Sequence, residues 1–179
     1  MPRQRTIDDG ALLDAAEAVL REEGARALTL AAVARRAGVS KGGLQYRYPS
    51  KTALVAALLS RGFDVLEASV ETAGDGDAGG PLRSYVDAMI GTRDENAAHD
   101  LALLTALYED PRLIAALRER HRAMIDRLRA SGADPDLVAV AVMATNGLWL
   151  LEAMGLEPMT DPQRETFIEA LTKLSGPSR

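Results

Sequence analysis

The sequence contains no cysteine among its 179 residues. Disulfide bonds, thiolate metal sites and a cysteine nucleophile are therefore excluded. The longest apolar stretch, Leu137 to Leu151, includes Thr145 and Asn146 and is shorter than the roughly 20 residues that a membrane-spanning helix needs. The charged first residues are not followed by the apolar segment of a signal peptide. We therefore expect a cytoplasmic protein that does not enter a membrane.

Histidine is also scarce, with two residues in the chain, and aromatic residues account for 4%. Without cysteine, a metal site would depend on these histidines and on carboxylates. No nucleophile, metal-ligand cluster or phosphate-binding loop is recognisable in the pattern. The sequence therefore predicts no enzyme, no metal site and no cofactor.

Acidic residues are absent from one long interval, although the net charge of the chain is −5. Between Glu23 and Asp64 every charged side chain is basic. These cations are Arg26, Arg35, Arg36, Lys41, Arg47, Lys51 and Arg61. Such segregation is typical of a local anion-binding face, and an ordinary solvated surface is the equal alternative on charge alone.

Strand patterns are absent as well, and the residues that are present favour helices. The chain is rich in alanine, leucine and arginine, and its apolar residues recur at helical spacing. We predict an all-α protein of about nine helices: three short helices in an N-terminal head, a connecting helix over 51–73 and a bundle of five. The predicted domains are residues 1–50 for DNA binding and 51–179 for ligand binding and dimerisation.

Helix boundaries follow from capping residues. Asp8 and Asp9 start the first helix, which ends at Gly24. Three Asp-Pro pairs predict the starts of later helices, each with an N-cap carboxylate before a proline at the first helical position. They are Asp110-Pro111, Asp134-Pro135 and Asp161-Pro162. The predicted later helices are Leu82 to Arg93, Ala97 to Leu107, Pro111 to Ala130, Pro135 to Met154 and Pro162 to Leu174.

A helix-turn-helix is predicted within the head. Thr29 can cap a short helix that stops at Gly38, and Ser40 can cap the next one. Pro49 ends that third helix near Tyr46, because the residue before a proline is disfavoured in helical geometry. Two helices joined by so short a turn containing glycine form a DNA-binding unit.

The third helix begins with residues that disfavour a helix. Gly42 and Gly43 cost about 1 kcal/mol each relative to alanine, and Lys41 opposes the helix dipole. Glycine lets another molecule come close, and lysine beside free N–H groups attracts phosphate. Gln45 lies one turn further along the same face. These residues are the candidate base readers, lysine for guanine and glutamine for adenine.

Phosphate contacts are predicted for residues that flank the base readers. Tyr46, Arg47, Lys51 and Thr29 suit this role, whereas Tyr48 is expected to pack against the first helix. Packing is also the alternative for Tyr46. The complete set of predicted DNA contacts is Thr29, Ser40, Lys41, Gly42, Gly43, Gln45, Tyr46, Arg47 and Lys51.

The same segment carries a family pattern. It comprises Leu28-Thr29-Leu30, the run VARRAGVSKGGL over 33–44, the run YRYPSK over 46–51, and Ala53-Leu54. Together they resemble the signature of the tetracycline-repressor (TetR) family, over about Leu12 to Leu58. The resemblance implies an all-helical homodimer whose larger domain binds a small molecule and thereby lowers its affinity for operator DNA.

The resemblance also assigns roles within the predicted site. Residues that match Lys41, Gly42 and Gln45 face bases, and those that match Thr29, Gly43, Tyr46 and Lys51 meet phosphates. This chain departs from the pattern, which often has Thr at Gly43, Tyr at Gln45, His at Arg47 and Phe at Tyr48. Without the threonine hydroxyl, position 43 lacks the side-chain donor of that phosphate contact, and Gln45 implies a different operator preference.

The stretch Leu137 to Leu151 is apolar nearly all round, which a single subunit rarely covers. By resemblance, the last two helices form the dimer interface. The predicted interface residues are Leu137, Ala144, Leu148, Leu151, Phe167, Leu171 and Leu174. Such a dimer places two heads on a palindromic site.

Candidates for a ligand pocket are the larger side chains of the body, and core packing is the alternative for each. They are Tyr85, Met89, Tyr108, Met124, Met143, Asn146 and Trp149. Asn146 is expected to contact a ligand, its counterpart in a second subunit or a backbone carbonyl. The sequence thus predicts a repressor released from a palindromic double-stranded operator by a small-molecule effector; the alternative is a ligand-independent or architectural DNA-binding factor.

Overall fold

The structure is a computed structural model that describes residues 8–73, 79–90, 100, 104–105, 107–108, 111–156 and 159–174. All regular elements in this part of the chain are helical, as predicted. A short 3-10 helix, Ala25–Ala27, follows the first α-helix. The α-helices are α1 (Asp9–Glu23), α2 (Leu30–Ala37), α3 (Lys41–Arg47), α4 (Lys51–Thr72), α5 (Gly80–Ile90), α6 (Pro111–Ala130), α7 (Pro135–Ala153) and α8 (Asp161–Leu174).

Two predicted helices fall partly outside the described residues. The predicted end of α5 at Arg93 lies beyond them, and so does most of the helix predicted from Ala97 to Leu107. Within that second stretch Asp100, Leu104, Thr105 and Leu107 are helical. The cap predicted at Asp110 also lies outside the described residues.

The predicted caps Asp8, Thr29 and Ser40 close the N-termini of the first three helices, and Ser50 closes that of α4. Each cap accepts a hydrogen bond from a backbone N–H in the first turn, where that group has no partner within the helix. The bonds run from Gly10 to Asp8, from Ala32 to Thr29, from Gly43 to Ser40 and from Ala53 to Ser50, at 3.0 to 3.1 Å. These local signals therefore placed the helix starts of the head correctly.

Helix α2 ends at a left-handed glycine, as predicted. Gly38 has a φ of 68° and donates its N–H to the carbonyl of Arg35 at 3.3 Å. Val39 donates to Ala34 at 3.0 Å, which completes a Schellman cap. The turn leaves only residues 38–40 between α2 and α3, so the helix-turn-helix is formed.

The helices of the head share one apolar core. It includes Val19 and Leu20 of α1, Val33 of α2 and Leu44 of α3, all fully buried. The first part of α4 joins the same core through Leu54, Val55 and Leu58. Burial of these aliphatic side chains provides the main stabilising term, about 1.5–3 kcal/mol for each large one.

A second core lies among α5, α6, α7, α8 and the end of α4. Its buried side chains include Leu82 and Val86 of α5, Leu128 of α6 and Val142 of α7. Arg164 of α8, nearly buried, donates to the Glu152 carboxylate at 2.8 Å and to the Ile90 carbonyl at 3.1 Å. That side chain ties the start of α8 to the ends of α7 and α5.

The prediction for the start of α8 was wrong by one residue. Thr160, and not Asp161, precedes the helix, and its N–H donates to the Gln163 side chain at 2.9 Å. The residues Thr160 to Gln163 form the backbone half of a capping box, in which the third helical residue reaches back to the N-cap. At Asp134 the prediction is confirmed, since its carboxylate accepts from Asp136 N–H at 2.8 Å.

Helix α7 is buried on one face only. Val138, Ala141, Val142 and Thr145 lie inward, whereas the opposite face is apolar and exposed. By length and composition α7 could cross a membrane, and 33% of its 18-residue apolar stretch is buried within the chain. A single helix of this kind is weak evidence for a membrane segment, because helices of water-soluble proteins meet the same criterion.

The chain divides into two compact units, residues 1–61 with 98–113 and residues 62–97 with 114–179. The division falls within α4, between Arg61 and Gly62. The assignment of residues 1–50 and 51–179 to separate functions stays a prediction. Structurally, the head includes the first half of α4.

Candidate functional site

Helix α3 presents its predicted base-reading residues to solvent. Lys41, Gly42 and Gln45 are exposed, and Tyr46 is 93% exposed. On the inner side Leu44 is fully buried. Tyr48, directly after the helix, is also buried, with 8% of its surface exposed. The packing role predicted for Tyr48 is therefore confirmed, whereas Tyr46 does not pack within the chain.

Among the residues that the structure describes, no contact requires a glycine at position 42. A Cβ placed on Gly42 would meet no atom within 4 Å, and the residue is not among those with positive φ. Alanine would fit there and would favour the helix by about 1 kcal/mol. The glycine is therefore unexplained by folding, and its open surface suits the close approach of another molecule.

The two capping hydroxyls near α3 keep a donor available. Thr29 Oγ1 accepts from Ala32 N–H, and Ser40 Oγ accepts from Gly43 N–H. A hydroxyl that accepts such a bond still carries its own hydrogen. Both residues are exposed, so each O–H can be donated to a phosphate oxygen.

The basic segment is less positive in the fold than in the sequence. Three arginines of this segment form ion pairs with carboxylates of α1. These carboxylates lie far earlier in the sequence. Arg36 pairs with Glu22, Arg47 with Asp9, and Arg61 with Asp14 and Glu17. Hydrogen bonds to these carboxylates raise the pKa of Arg36 and of Arg47.

Four cations of the segment remain unpaired in the part of the chain that the structure describes. They are Arg26, Arg35, Lys41 and Lys51, all exposed. The positive face thus depends on fewer residues than the sequence indicated. Lys41 and Lys51 are the two that also belong to the predicted DNA contacts.

The second core contains a small polar cluster. The Asn146 side-chain amide donates to the Tyr85 hydroxyl and to the Val142 carbonyl, each at 2.8 Å. Thr145 Oγ1 donates to the Ala141 carbonyl at 2.9 Å. Burial raises the pKa of Tyr85, so its hydroxyl stays neutral. Of the partners expected for Asn146, the backbone carbonyl is present, and Tyr85 is an additional one.

The remaining pocket candidates are dispersed. Met124 is buried in the second core, Met89 packs partly against it, and Trp149 is half-buried. Met143 is 64% exposed, and Tyr108 is 88% exposed and belongs to the first compact unit. The structure therefore brings together Tyr85, Asn146, Met89 and Met124 within one core, and leaves Met143 and Tyr108 apart from it.

The predicted dimer residues are divided between the core and the surface. Leu148 and Leu171 are buried within the subunit, and Leu137, Ala144 and Phe167 pack partly against the second core. Leu151 and Leu174 are exposed. Helical spacing could not select the open face of α7, because apolar residues occur on every side of that helix.

Several exposed apolar residues of α7 and its end were absent from the predicted interface. They are spaced by three, seven and four residues, which are helical repeats, and so share the face that bears Leu151. They are Val140, Met143, Leu150 and Met154. This face is defined here as the open face of α7, comprising Val140, Met143, Leu150, Leu151 and Met154.

Comparison with known proteins identifies both parts of the chain. Residues 12–58 match the family model described as bacterial regulatory proteins, tetR family. Residues 79–176 match the model described as the tetracyclin repressor-like C-terminal domain. None of the curated proteins matches the sequence.

Solved structures show the same fold. A TetR transcription regulator from Haloarcula marismortui is 19% identical, with 93% of this chain and 95% of that chain covered and a TM-score of 0.73. A transcriptional regulator from Rhodococcus is 21% identical, with 93% and 92% covered and a TM-score of 0.68. The regulator PfmR from Thermus thermophilus is 22% identical, with 94% and 99% covered and a TM-score of 0.61. With its helix-turn-helix and both domain matches, this chain belongs to the TetR family of transcriptional regulators.

Proposed function

We propose that this regulator is a repressor that binds a palindromic operator as a homodimer and is released by a small-molecule effector. The observation that carries DNA recognition is Gly42, an open glycine between Lys41 and Leu44 on a helix that it weakens. Close approach of a base edge explains a glycine that packing within the chain does not require. We also propose that the protein has no catalytic activity. Its proposed location is the cytoplasm, where its operator lies.

In this proposal α3 enters the major groove. Lys41 donates to guanine acceptors and Gln45 pairs with adenine, each contact contributing about 1–3 kcal/mol of discrimination. The neighbouring groups set the register on the phosphate backbone without reading sequence. The phosphate contacts are Thr29, Ser40, Tyr46 and Lys51, whereas Gly43 has no side-chain donor and its N–H already donates to Ser40 Oγ.

A second copy of the chain covers the open face of α7. That face is apolar and exposed in the single chain, and α8 adds the exposed Leu174. A two-fold axis places the same surface on both subunits, so an apolar face can bury itself against its copy. The resulting pair of heads suits two half-sites about one DNA turn apart.

The effector site is proposed at the polar cluster of the second core. Tyr85 and Asn146 provide one neutral hydrogen-bonding spot among apolar neighbours such as Met124 and Met89. Ligand sites commonly combine apolar walls with a few polar groups that orient the ligand. We therefore expect a mainly apolar effector with one hydrogen-bonding group.

The function is tested by selecting duplexes from a random library with the purified protein and then screening small molecules for release of the selected duplex. A palindromic sequence and at least one releasing compound that raises the melting temperature are expected. Selection without any releasing compound would favour ligand-independent binding. Failure to select any sequence would contradict the proposal as a whole.

Replacing Gly42 by alanine should separate stability from recognition. Because the added methyl group meets nothing within the chain, the variant should be more stable by up to about 1 kcal/mol. Operator affinity should fall, since the methyl group occupies the space of the approaching base. Thermal unfolding and operator titration measure the two effects. Equal operator affinity in the variant would remove the main support for close approach at this position.

Replacing Tyr85 by phenylalanine should weaken the response to the effector. The change removes the hydroxyl that accepts from Asn146, while that amide keeps its bond to the Val142 carbonyl. The free energy of unfolding should drop by about 0.5–1.5 kcal/mol. The concentration of releasing compound needed for half-release should rise, with operator affinity unchanged. An unaltered release curve would make the cluster a purely structural part of the core.

A further inference from the structure

Arg47 at the end of α3 and Asp9 at the start of α1 are joined by two parallel hydrogen bonds. The Arg47 Nε–H donates to Asp9 Oδ1, and the Nη2–H donates to Oδ2. The residues are 38 positions apart in the sequence. A bidentate arginine-carboxylate pair fixes direction as well as distance, because both groups are planar.

Helix α3 has few other anchors. It is seven residues long and contains two glycines, and Leu44 is its single buried side chain. A helix of this length is not stable alone, so its orientation depends on tertiary contacts. Leu44 and the buried Tyr48, directly after the helix, attach α3 to the core of the head. The Arg47–Asp9 pair adds a polar attachment to α1 at the end away from Lys41.

The ion pair contributes little to stability. Both side chains are substantially exposed, at 57% for Arg47 and 37% for Asp9, and exposed ion pairs are weak. We therefore expect the ion pair to affect the orientation of α3 and not the melting temperature. That distinction separates a positioning role from a general structural one.

We infer that Asp9 and Arg47 are positioning residues for DNA recognition: Asp9 holds Arg47, and through it the orientation of α3, so that Arg47 is not a phosphate ligand. The inference rests on the proposed operator binding. It also replaces the sequence-based expectation that Arg47 contacts phosphate, because the Nε–H and an Nη2–H of its guanidinium already donate to Asp9.

Three variants test the inference on the duplex selected by the wild-type protein. Asp9→Asn, Arg47→Lys and Arg47→Ala should each lower operator affinity by about fivefold, the most that an exposed ion pair can contribute to the orientation of α3. The double variant Asp9→Asn/Arg47→Ala should bind no more weakly than the weaker single variant, since all of them break one unit. The slope of affinity against salt concentration should stay the same in Arg47→Lys, which keeps the charge.

A phosphate contact predicts the opposite pattern. Asp9→Asn would then free Arg47, tighten binding and steepen the salt slope, and Arg47→Ala would reduce that slope by about 1. Arg47→Lys would bind nearly as well as wild type, because lysine also binds phosphate but lacks the planar fork of arginine. Wild-type or tighter binding by Asp9→Asn overturns the inference.

The matched control is the ion pair between Arg36 of α2 and Glu22 of α1. It is also bidentate and exposed, and it joins α1 to a helix other than α3. Arg36→Ala and Glu22→Gln should leave operator affinity within about twofold. The melting temperatures of all variants should match that of the wild type. If Arg47→Ala fails to fold, the conservative variants Asp9→Asn and Arg47→Lys decide the question. Loss of selection by the wild-type protein, in contrast, would contradict the proposed function and not this inference.

Discussion

Alanine at both Lys41 and Gln45 should abolish the preference for operator DNA while leaving the fold and the oligomeric state intact. Both side chains are exposed, and Lys41 forms no ion pair in the described part of the chain, so their removal costs the head little. If each base contact contributes about 1–3 kcal/mol, the double variant should lose selectivity by about 30-fold or more. Competition between the selected duplex and a scrambled duplex measures this ratio.

The control for this experiment is Arg35→Ala. Arg35 is an exposed, unpaired cation of α2 within the described residues and is not among the predicted DNA contacts. Its removal changes the charge of the head as Lys41→Ala does, but should preserve the selectivity ratio. Equal selectivity in the Lys41/Gln45 double variant and the wild type would refute the assignment of base readers.

Glutamate at Met143 and Leu151 should convert the proposed dimer into a monomer. The two side chains lie on the open face of α7, and Met143 is 64% exposed in the single chain. An uncompensated buried charge costs about 3–5 kcal/mol, and two-fold symmetry repeats each one. The dimer should therefore weaken by at least about a thousandfold. Sedimentation equilibrium measures the change.

Operator affinity should fall when the dimer is lost, because one head contacts only half of a palindromic site. The matched control is Ala123→Glu, at an exposed position of α6, which should remain dimeric and bind the operator. A Met143/Leu151 double variant that stays dimeric would show that another surface forms the interface. Retention of operator binding by a monomeric variant would argue against a palindromic site.

The face of α7 illustrates a limit of sequence patterns. Its apolar residues on all sides predicted burial, and the helix was correctly located from Asp134 to its end. The pattern did not show which side belongs to the core of the same subunit. Leu148 was predicted for the interface and is buried inside, whereas Val140 and Met154 are exposed. The other helices of the second core determine that division, and their positions are not encoded within α7.

The start of α8 shows a different kind of error. Asp161 followed by proline resembled the pairs that begin other helices, but Thr160 and Gln163 form a competing cap. Both residues were visible in the sequence, and the spacing of a capping box was present. Two local signals overlapped here, and the cap that forms is the earlier one, between Thr160 and Gln163.

The sequence alone determined the helices of the head and the exposed face of α3 that bears Lys41 and Gln45. Thr29, Gly38 and Ser40 act on backbone groups within a few residues, so their effect is independent of the rest of the chain. The tertiary structure decided which cations remain free and which side of α7 stays open. Arg47 meets Asp9 only after the helices have packed, because electrostatic and packing partners are set by distance in space and not by separation along the chain.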